Sequence, residues 1–192
     1  NRRSRVPGSS SATPPANAQE VRVGAYVVNI GKFDLGAGSY AIDFYLTFDS
    51  DGELPKGYAT DKTSELSFEF INGRAASVEL LETDGKISVY RILANLYVPV
   101  DLRRYPFDRQ AITIQLEDKR RRDSEIRFAS SPNDTGLDED VVIIGWTAQP
   151  LRSEYRDHVY PDGVFHRCQF TIPLERTGIT APLRVFVPLF CF

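Results

Sequence analysis

The run Val98-Pro99-Val100-Asp101-Leu102-Arg103-Arg104-Tyr105-Pro106-Phe107-Asp108-Arg109-Gln110 leads without a break into Ala111-Ile112-Thr113-Ile114-Gln115-Leu116. In the second part apolar and polar residues alternate, the period of a strand with one buried face. The first part packs prolines, arginines, aspartates and aromatics into a compact connection between two strands. Outward from this point the chain reads as further short strands rich in β-branched and aromatic residues. They are 25–30, 40–48, 66–71, 76–82, 86–96, 110–116, 125–129, 141–149 and 163–173, with 152–155 as a further candidate. Asn72-Gly73 and Asp84-Gly85 are hairpin signals, and Pro161-Asp162-Gly163 is a turn. No amphipathic helix stands out before the final segment, and no internal repeat is visible. Short strands at regular spacing predict an all-β fold, a twisted immunoglobulin-like β-sandwich of about ten strands.

A chain of 192 residues is enough for one sandwich domain with a good core. The net charge of −3 gives no footprint for nucleic acid. Lys119-Arg120-Arg121-Arg122 is basic, but Glu117, Asp118, Asp123 and Glu125 bracket it, so it reads as a solvated turn. The two cysteines, Cys168 and Cys191, lack the spacing of a zinc site or a redox pair. No nucleophile motif or phosphate loop occurs, which argues against an enzyme and implies no cofactor. His158 and His166, with Glu154, Asp157 and Asp162 nearby, are an alternative metal site. Asp134, Asp138, Glu139 and Asp140 read as a solvated acidic loop rather than a calcium site. Residues 1–20 are rich in Arg, Ser, Pro and Ala without apolar period, the composition of a disordered tail.

The stretch 98–110 resembles the loop at the membrane-facing end of the ligand-binding domain in pentameric ligand-gated ion channels. Animal members close that loop with a disulfide. Here no cysteine stands at Val100 or Thr113, which is the pattern of prokaryotic members. The resemblance runs from about Val21 to Phe192. The Gly31–Gly38 turn is similar to the first inter-strand loop that rests on the membrane domain. Residues 65–71 look like the strand after the first ligand loop, and 84–90 like the hairpin before the signature loop. Residues 140–146 resemble a Trp-bearing strand of a proton-gated bacterial member. Tyr155–His166 resembles the capping hairpin over the ligand site, and Arg176 the basic residue before the first membrane helix. Residues 182–192 are too short to cross a bilayer and look like the beginning of that helix.

This resemblance implies a tail at 1–20, a ligand-binding β-sandwich at 21–180 and a truncated first membrane helix at 181–192. It implies an extracytoplasmic ligand-binding and gating domain at the plasma (inner) membrane, on the periplasmic or extracellular side. The partners would be four further copies in a homopentamer, a small-molecule agonist and the membrane, without nucleic acid. Agonist contacts would fall to Tyr90, Tyr155, Tyr160 and Phe165, with Phe44 and Phe48 offered by the neighbouring subunit. Gating would run through Asp34, Arg104, Asp108 and Arg176 as one charge cluster, beside Tyr105, Pro106 and Phe107. The sequence departs from the family in two places. No Trp-x-Pro precedes residue 65, and Gly38 stands where the proton-gated relative has a glutamate. The alternative reading is a soluble β-sandwich binding or adhesion module without channel activity.

Overall fold

The computed structural model describes residues 18–105 and 108–177. Pro106, Phe107 and the expected start of a membrane helix at 181–192 lie outside the described residues. Eleven strands follow in chain order among the described residues. They are β1 (Gln19–Ile30), β2 (Ser39–Asp49), β3 (Phe68–Phe70), β4 (Gly73–Thr83), β5 (Ile87–Tyr97), β6 (Arg109–Asp118), β7 (Ile126–Ser130), β8 (Gly136–Leu137), β9 (Trp146–Ala148), β10 (Arg152–Tyr160) and β11 (Gly163–Arg176). Two single 3₁₀ turns, Thr63–Glu65 and Pro132–Asp134, are the helical elements among the described residues. No helix among the described residues is long and apolar enough to cross a membrane.

The strands form an all-β fold of two sheets. One runs β4-β5-β2-β1-β7, with β8 added beside β1, and the other runs β10-β11-β6-β3, with β9 added beside β11. Alternation decides which side chains fill the space between them. On β2 every second residue from Tyr40 to Phe48 is buried, and on β5 every second residue from Ser88 to Leu96. Facing them, β6 contributes Ile112, Ile114 and Leu116, and β11 contributes Cys168, Phe170, Ile172 and Leu174. Aromatic rings meet edge to face at the centre, Phe44 against Phe70 and Phe48 against Tyr58. Fully burying a side chain of this size contributes roughly 1.5–3 kcal/mol. A register shift between Val27 and Asn29 marks a bulge in β1. This strand pairs with β2 along one edge and, in parallel, with β7 and β8 along the other.

Three local expectations change. β1 takes in Gln19 and Glu20, which composition assigns to the tail. Of 141–149 only β9 is a paired strand. Gly145 adopts φ +85°, and the Trp146 amide returns to the Ile143 carbonyl at 2.9 Å. That tight turn leaves Val142 and Ile144 76% and 94% exposed, so an aliphatic run that looks like a buried strand is a loop. Asn72-Gly73 also does not close a hairpin, since β3 belongs to one sheet and β4 to the other. Asp84-Gly85 does turn between paired strands, with Asp84 Oδ1 accepting the Lys86 and Ile87 amides, each at 2.8 Å.

Asn72 has a structural task at the crossover instead. β3 pairs with β6 only at residues 116–118, so the earlier edge of β6 needs other partners. Asn72 Oδ1 accepts the Gln115 amide at 3.0 Å, and its Nδ2 donates to the carbonyls of Thr113 at 2.7 Å and Tyr97 at 2.9 Å. The Tyr40 hydroxyl accepts the Thr113 amide at 3.0 Å and donates to the Thr113 carbonyl. Two side chains thus continue the ladder where the strand stops. Asn72→Ala leaves the Gln115 amide without that acceptor and is expected to lower unfolding stability by roughly 1–3 kcal/mol. Urea denaturation checks it: an unchanged midpoint would show that water replaces the amide without cost.

Candidate functional site: the Asp108–Arg176 cluster and the β10–β11 hairpin

Strand register brings the first group of residues together. The β6–β11 pairing ends with Arg109 opposite Glu175, so the next rung sets Asp108 against Arg176. Arg176 Nε donates to Asp108 Oδ1 at 2.7 Å and Nη2 to Oδ2 at 2.9 Å, the parallel fork that makes guanidinium–carboxylate pairs strong. Gln110 Nε2 donates to Asp108 Oδ2 and to the Asp101 carbonyl, both at 2.8 Å. Its Oε1 accepts the Asp101 amide at 3.2 Å, which ties the loop before β6 to the same carboxylate. On the other side β9 sets Trp146 opposite Arg176. The guanidinium lies 4.4 Å from the Trp146 ring centre and 5.0 Å from that of Tyr105. Trp146 packs in turn on Phe33 at 6.0 Å.

The pair is well shielded, with the Asp108 side chain 1% and the Arg176 side chain 17% exposed. The bonds from Arg176 hold the Asp108 carboxyl down at about 2, with Gln110 assisting and burial opposing. The same pairing raises the Arg176 guanidinium above its ordinary value.

Of the expected charge cluster, Asp108 and Arg176 meet, and the Arg176 guanidinium lies over the Tyr105 ring, although Tyr105 as a residue is 65% exposed. Arg104 is exposed and, among the described residues, forms no ion pair with Asp108. Asp34 is elsewhere too: its Oδ1 accepts the amides of Gly36 at 2.8 Å and Ala37 at 3.1 Å, closing its own turn. A short carboxylate held by its local backbone cannot also reach across to β11. Pro106 and Phe107 lie outside the described residues.

The aromatic residues divide by the face they occupy. Phe44, Phe48 and Tyr90 are fully buried between the sheets and present no ring to a ligand, because strand alternation points them inward. Tyr155 is half-buried on the inner face of the hairpin, its hydroxyl donating to the Val23 carbonyl at 3.1 Å. Burial pushes that hydroxyl up to about 12. Tyr160 and Phe165 are half-buried neighbours, their rings 5.7 Å apart and edge to face. His158 lies 4.4 Å from the Tyr160 ring, and Arg122 covers Phe165 at 5.5 Å.

Beside these rings is a polar group that a motif search does not find. Arg167 donates through Nε to Glu117 Oε1 at 2.5 Å and through Nη2 to the Tyr160 hydroxyl at 2.8 Å. Tyr160 donates to Glu117 Oε2 at 3.2 Å, closing a triangle of three side chains. The two charged members are 7% and 3% exposed. Its trace in the sequence is the polar half of the alternation on β6, Thr113, Gln115 and Glu117. β11 sets Thr171 opposite Thr113 and Gln169 opposite Gln115. The two histidines do not converge. His158 stands opposite Phe165 and His166 opposite Asp157, so they occupy opposite faces of the hairpin. No group of three His, Cys, Asp or Glu side chains suited to a metal gathers among the described residues.

No family model matches the chain, and no curated protein does.

The lowered carboxyl of Asp108 sets a pH dependence. A carboxylate depressed in the folded state adds stability above its unfolded value near 3.9, and that stability is lost as pH falls toward about 2. The contribution at neutral pH is on the order of 2 kcal/mol. Asp108→Asn is therefore expected to remove that margin at pH 7 and to flatten the stability curve between about pH 4 and 2. Paired denaturation curves over that range check it; parallel curves for both proteins would contradict it.

Proposed function

We propose that this chain is the ligand-binding and gating domain of a pentameric ligand-gated ion channel, a sandwich of the immunoglobulin-like kind. The observation that carries the reading is the shielded fork between Asp108 and Arg176. It joins the loop with the Tyr-Pro-Phe-Asp string to the last residue of the last strand. In a channel of this family those two places face the membrane helices, and a signal from the ligand must pass between them. Coupling requires contacts that differ between two states, and a buried ion pair supplies them. When one partner moves, the other is left as an uncompensated charge, at roughly 3–5 kcal/mol.

In this reading the chain acts as one of five identical subunits at the inner membrane, its sandwich on the outer side. The β10–β11 hairpin then closes over a small-molecule agonist, with Tyr160 and Phe165 as the ring faces. The reading is tested first on the gene: translation beyond Phe192 is expected to give four hydrophobic spans, and the complete protein ligand- or proton-gated currents. A continuation without spans, and a protein without currents, would favour a soluble binding module.

Four variants of the complete protein test the assigned residues. Asp108→Arg and Arg176→Asp are each expected to abolish or strongly reduce currents while surface expression persists. The double swap is expected to recover part of them, because contacting sites are coupled. Wild-type currents in both single variants would remove the pair from gating. Tyr160→Ala is expected to raise the half-activating concentration a few-fold, the size of a lost cation–π contact of roughly 0.5–2 kcal/mol. An unchanged concentration–response curve would place the agonist elsewhere.

A further inference from the structure

Arg122 stands in the turn between β6 and β7, and it is the exception among the shielded arginines. Arg22, Arg121, Arg127, Arg167 and Arg176 are likewise half-buried or buried, and each pairs with a carboxylate. Arg122 pairs with none among the described residues, and its Nη1 is buried without a hydrogen-bond acceptor. A guanidinium carries five N–H donors and a positive charge, so an unanswered buried nitrogen is costly. Within the turn, Glu125 gives Oε2 to the Arg122 backbone amide at 3.1 Å rather than to the guanidinium. Arg167, the other guanidinium of this region, is answered by Glu117 and the Tyr160 hydroxyl.

The unpaired group lies at the tip of the β10–β11 hairpin. Its central carbon is 5.5 Å from the Phe165 ring centre, and its Nη1 fills the place where a Cβ at residue 163 would stand. Gly163, at φ +152°, leaves that room as no other residue would. The Asp123 amide on the Val164 carbonyl, at 3.1 Å, fixes the turn to the hairpin. The Tyr160 ring, 5.7 Å from that of Phe165, completes a cluster of two rings and one unpaired cation, all on one chain.

We infer that Arg122 anchors a binding site for a small monocarboxylate with an apolar or aromatic body. The carboxylate takes the guanidinium as Asp108 takes that of Arg176, and the body lies along Tyr160 and Phe165. One uncompensated positive charge matches one negative charge. A dianion would call for further donors, and the neighbouring Lys119 and Arg121 are committed to the Leu66 carbonyl and to Asp118. Because Gly163 covers Nη1, that nitrogen gains an acceptor only as the hairpin tip shifts, so binding is felt by the hairpin. The inference gives the agonist placed under this hairpin its chemical class, and as an account of gating it rests on the channel reading. Binding to the chain itself does not.

The test uses the chain of 192 residues by itself, so its failure and the failure of the channel reading are separate results. The probes are benzoate and benzamide, alike in shape and different in charge. Benzoate is expected to shift the nuclear magnetic resonance signals of the Arg122 side chain and of the Gly163 and Phe165 amides saturably. It is expected to bind roughly tenfold more tightly than benzamide, and less tightly as salt is raised. Arg122→Gln is expected to abolish the difference between the probes. Arg120→Gln, in the same turn but exposed, is expected to leave it intact. The proposal is overturned if the probes bind alike, if neither binds, or if the preference survives in Arg122→Gln. Inorganic phosphate binding more tightly than benzoate would overturn the ligand class. It is equally overturned if Arg122→Gln alters only association between copies of the chain, which would make a neighbour's carboxylate the partner. Should Arg122→Gln not fold, the two probes on the unaltered chain, and the residues whose signals they shift, decide the matter.

Discussion

The pairing of β6 with β11 sets most of what this molecule can do, because a strand register assigns a side to every residue at once. With Ile114 opposite Phe170 and Ile112 opposite Ile172, the inner face is apolar and the outer face polar. A slip of one residue would turn Ile112, Ile114 and Leu116 to solvent and drive Thr113, Gln115 and Glu117 into the core. The same register, carried one rung past its end, puts Asp108 against Arg176. Carried the other way, it brings Arg167 and Glu117 within reach of each other on the outer face. Neither contact is local: they span 68 and 50 residues of chain.

The sandwich interior is apolar in bulk, but it is punctuated by polar groups that find partners within it. The Tyr58 hydroxyl donates to Asp118 Oδ2 at 2.9 Å, and Asp118 also accepts the Arg120 amide at 2.8 Å and an Arg121 guanidinium nitrogen at 3.0 Å. Tyr90 donates to the Thr60 carbonyl at 3.1 Å, and Ser88 donates to the Tyr58 carbonyl at 2.5 Å. These bonds tether the segment between β2 and β3 to the sheets, where regular pairing is absent. A buried polar group without a partner is costly, so such contacts fix the path of the loop as firmly as packing does.

The two regions of interest lie on one strand. β11 carries His166 and Arg167 near its start and Arg176 as its last residue. Ten residues of extended chain separate His166 from Arg176, roughly 33 Å at the rise of a strand. Each end holds a buried charge whose partners sit on other elements. At the start Arg167 meets β6 and β10, and at the end Arg176 meets the loop before β6, with β9 stacked alongside. Movement of either partner is therefore felt as a change of charge environment on a strand that is otherwise packed into the core.

Much of the architecture was legible in the sequence. The alternation in β2, β5, β6 and β11 is visible as bare pattern, and period alone decides which residues point inward. Asp84-Gly85 and Pro161-Asp162-Gly163 also mark true turns, since a tight reversal has few chemical solutions. Pattern failed where composition and pairing part ways. The aliphatic run Val141–Ile144 has strand chemistry but no strand to pair with, and Gly145 turns it back. Asn72-Gly73 has hairpin chemistry, yet the neighbouring strands belong to different sheets. Among the site residues, the family resemblance singled out Asp108 and Arg176, and the register brings them together. It also grouped Arg104 and Asp34 with them, while local hydrogen bonds close Asp34 into its own turn and Arg104 stays at the surface. Phe44, Phe48 and Tyr90 show the same limit, because an aromatic on a strand reads alike whether it walls a pocket or fills a core. What the sequence by itself determined was the period of each strand, and so its faces. Which faces meet, and which charges become neighbours, was decided by tertiary pairing, because contacts tens of residues apart depend on a sheet order that no local pattern encodes.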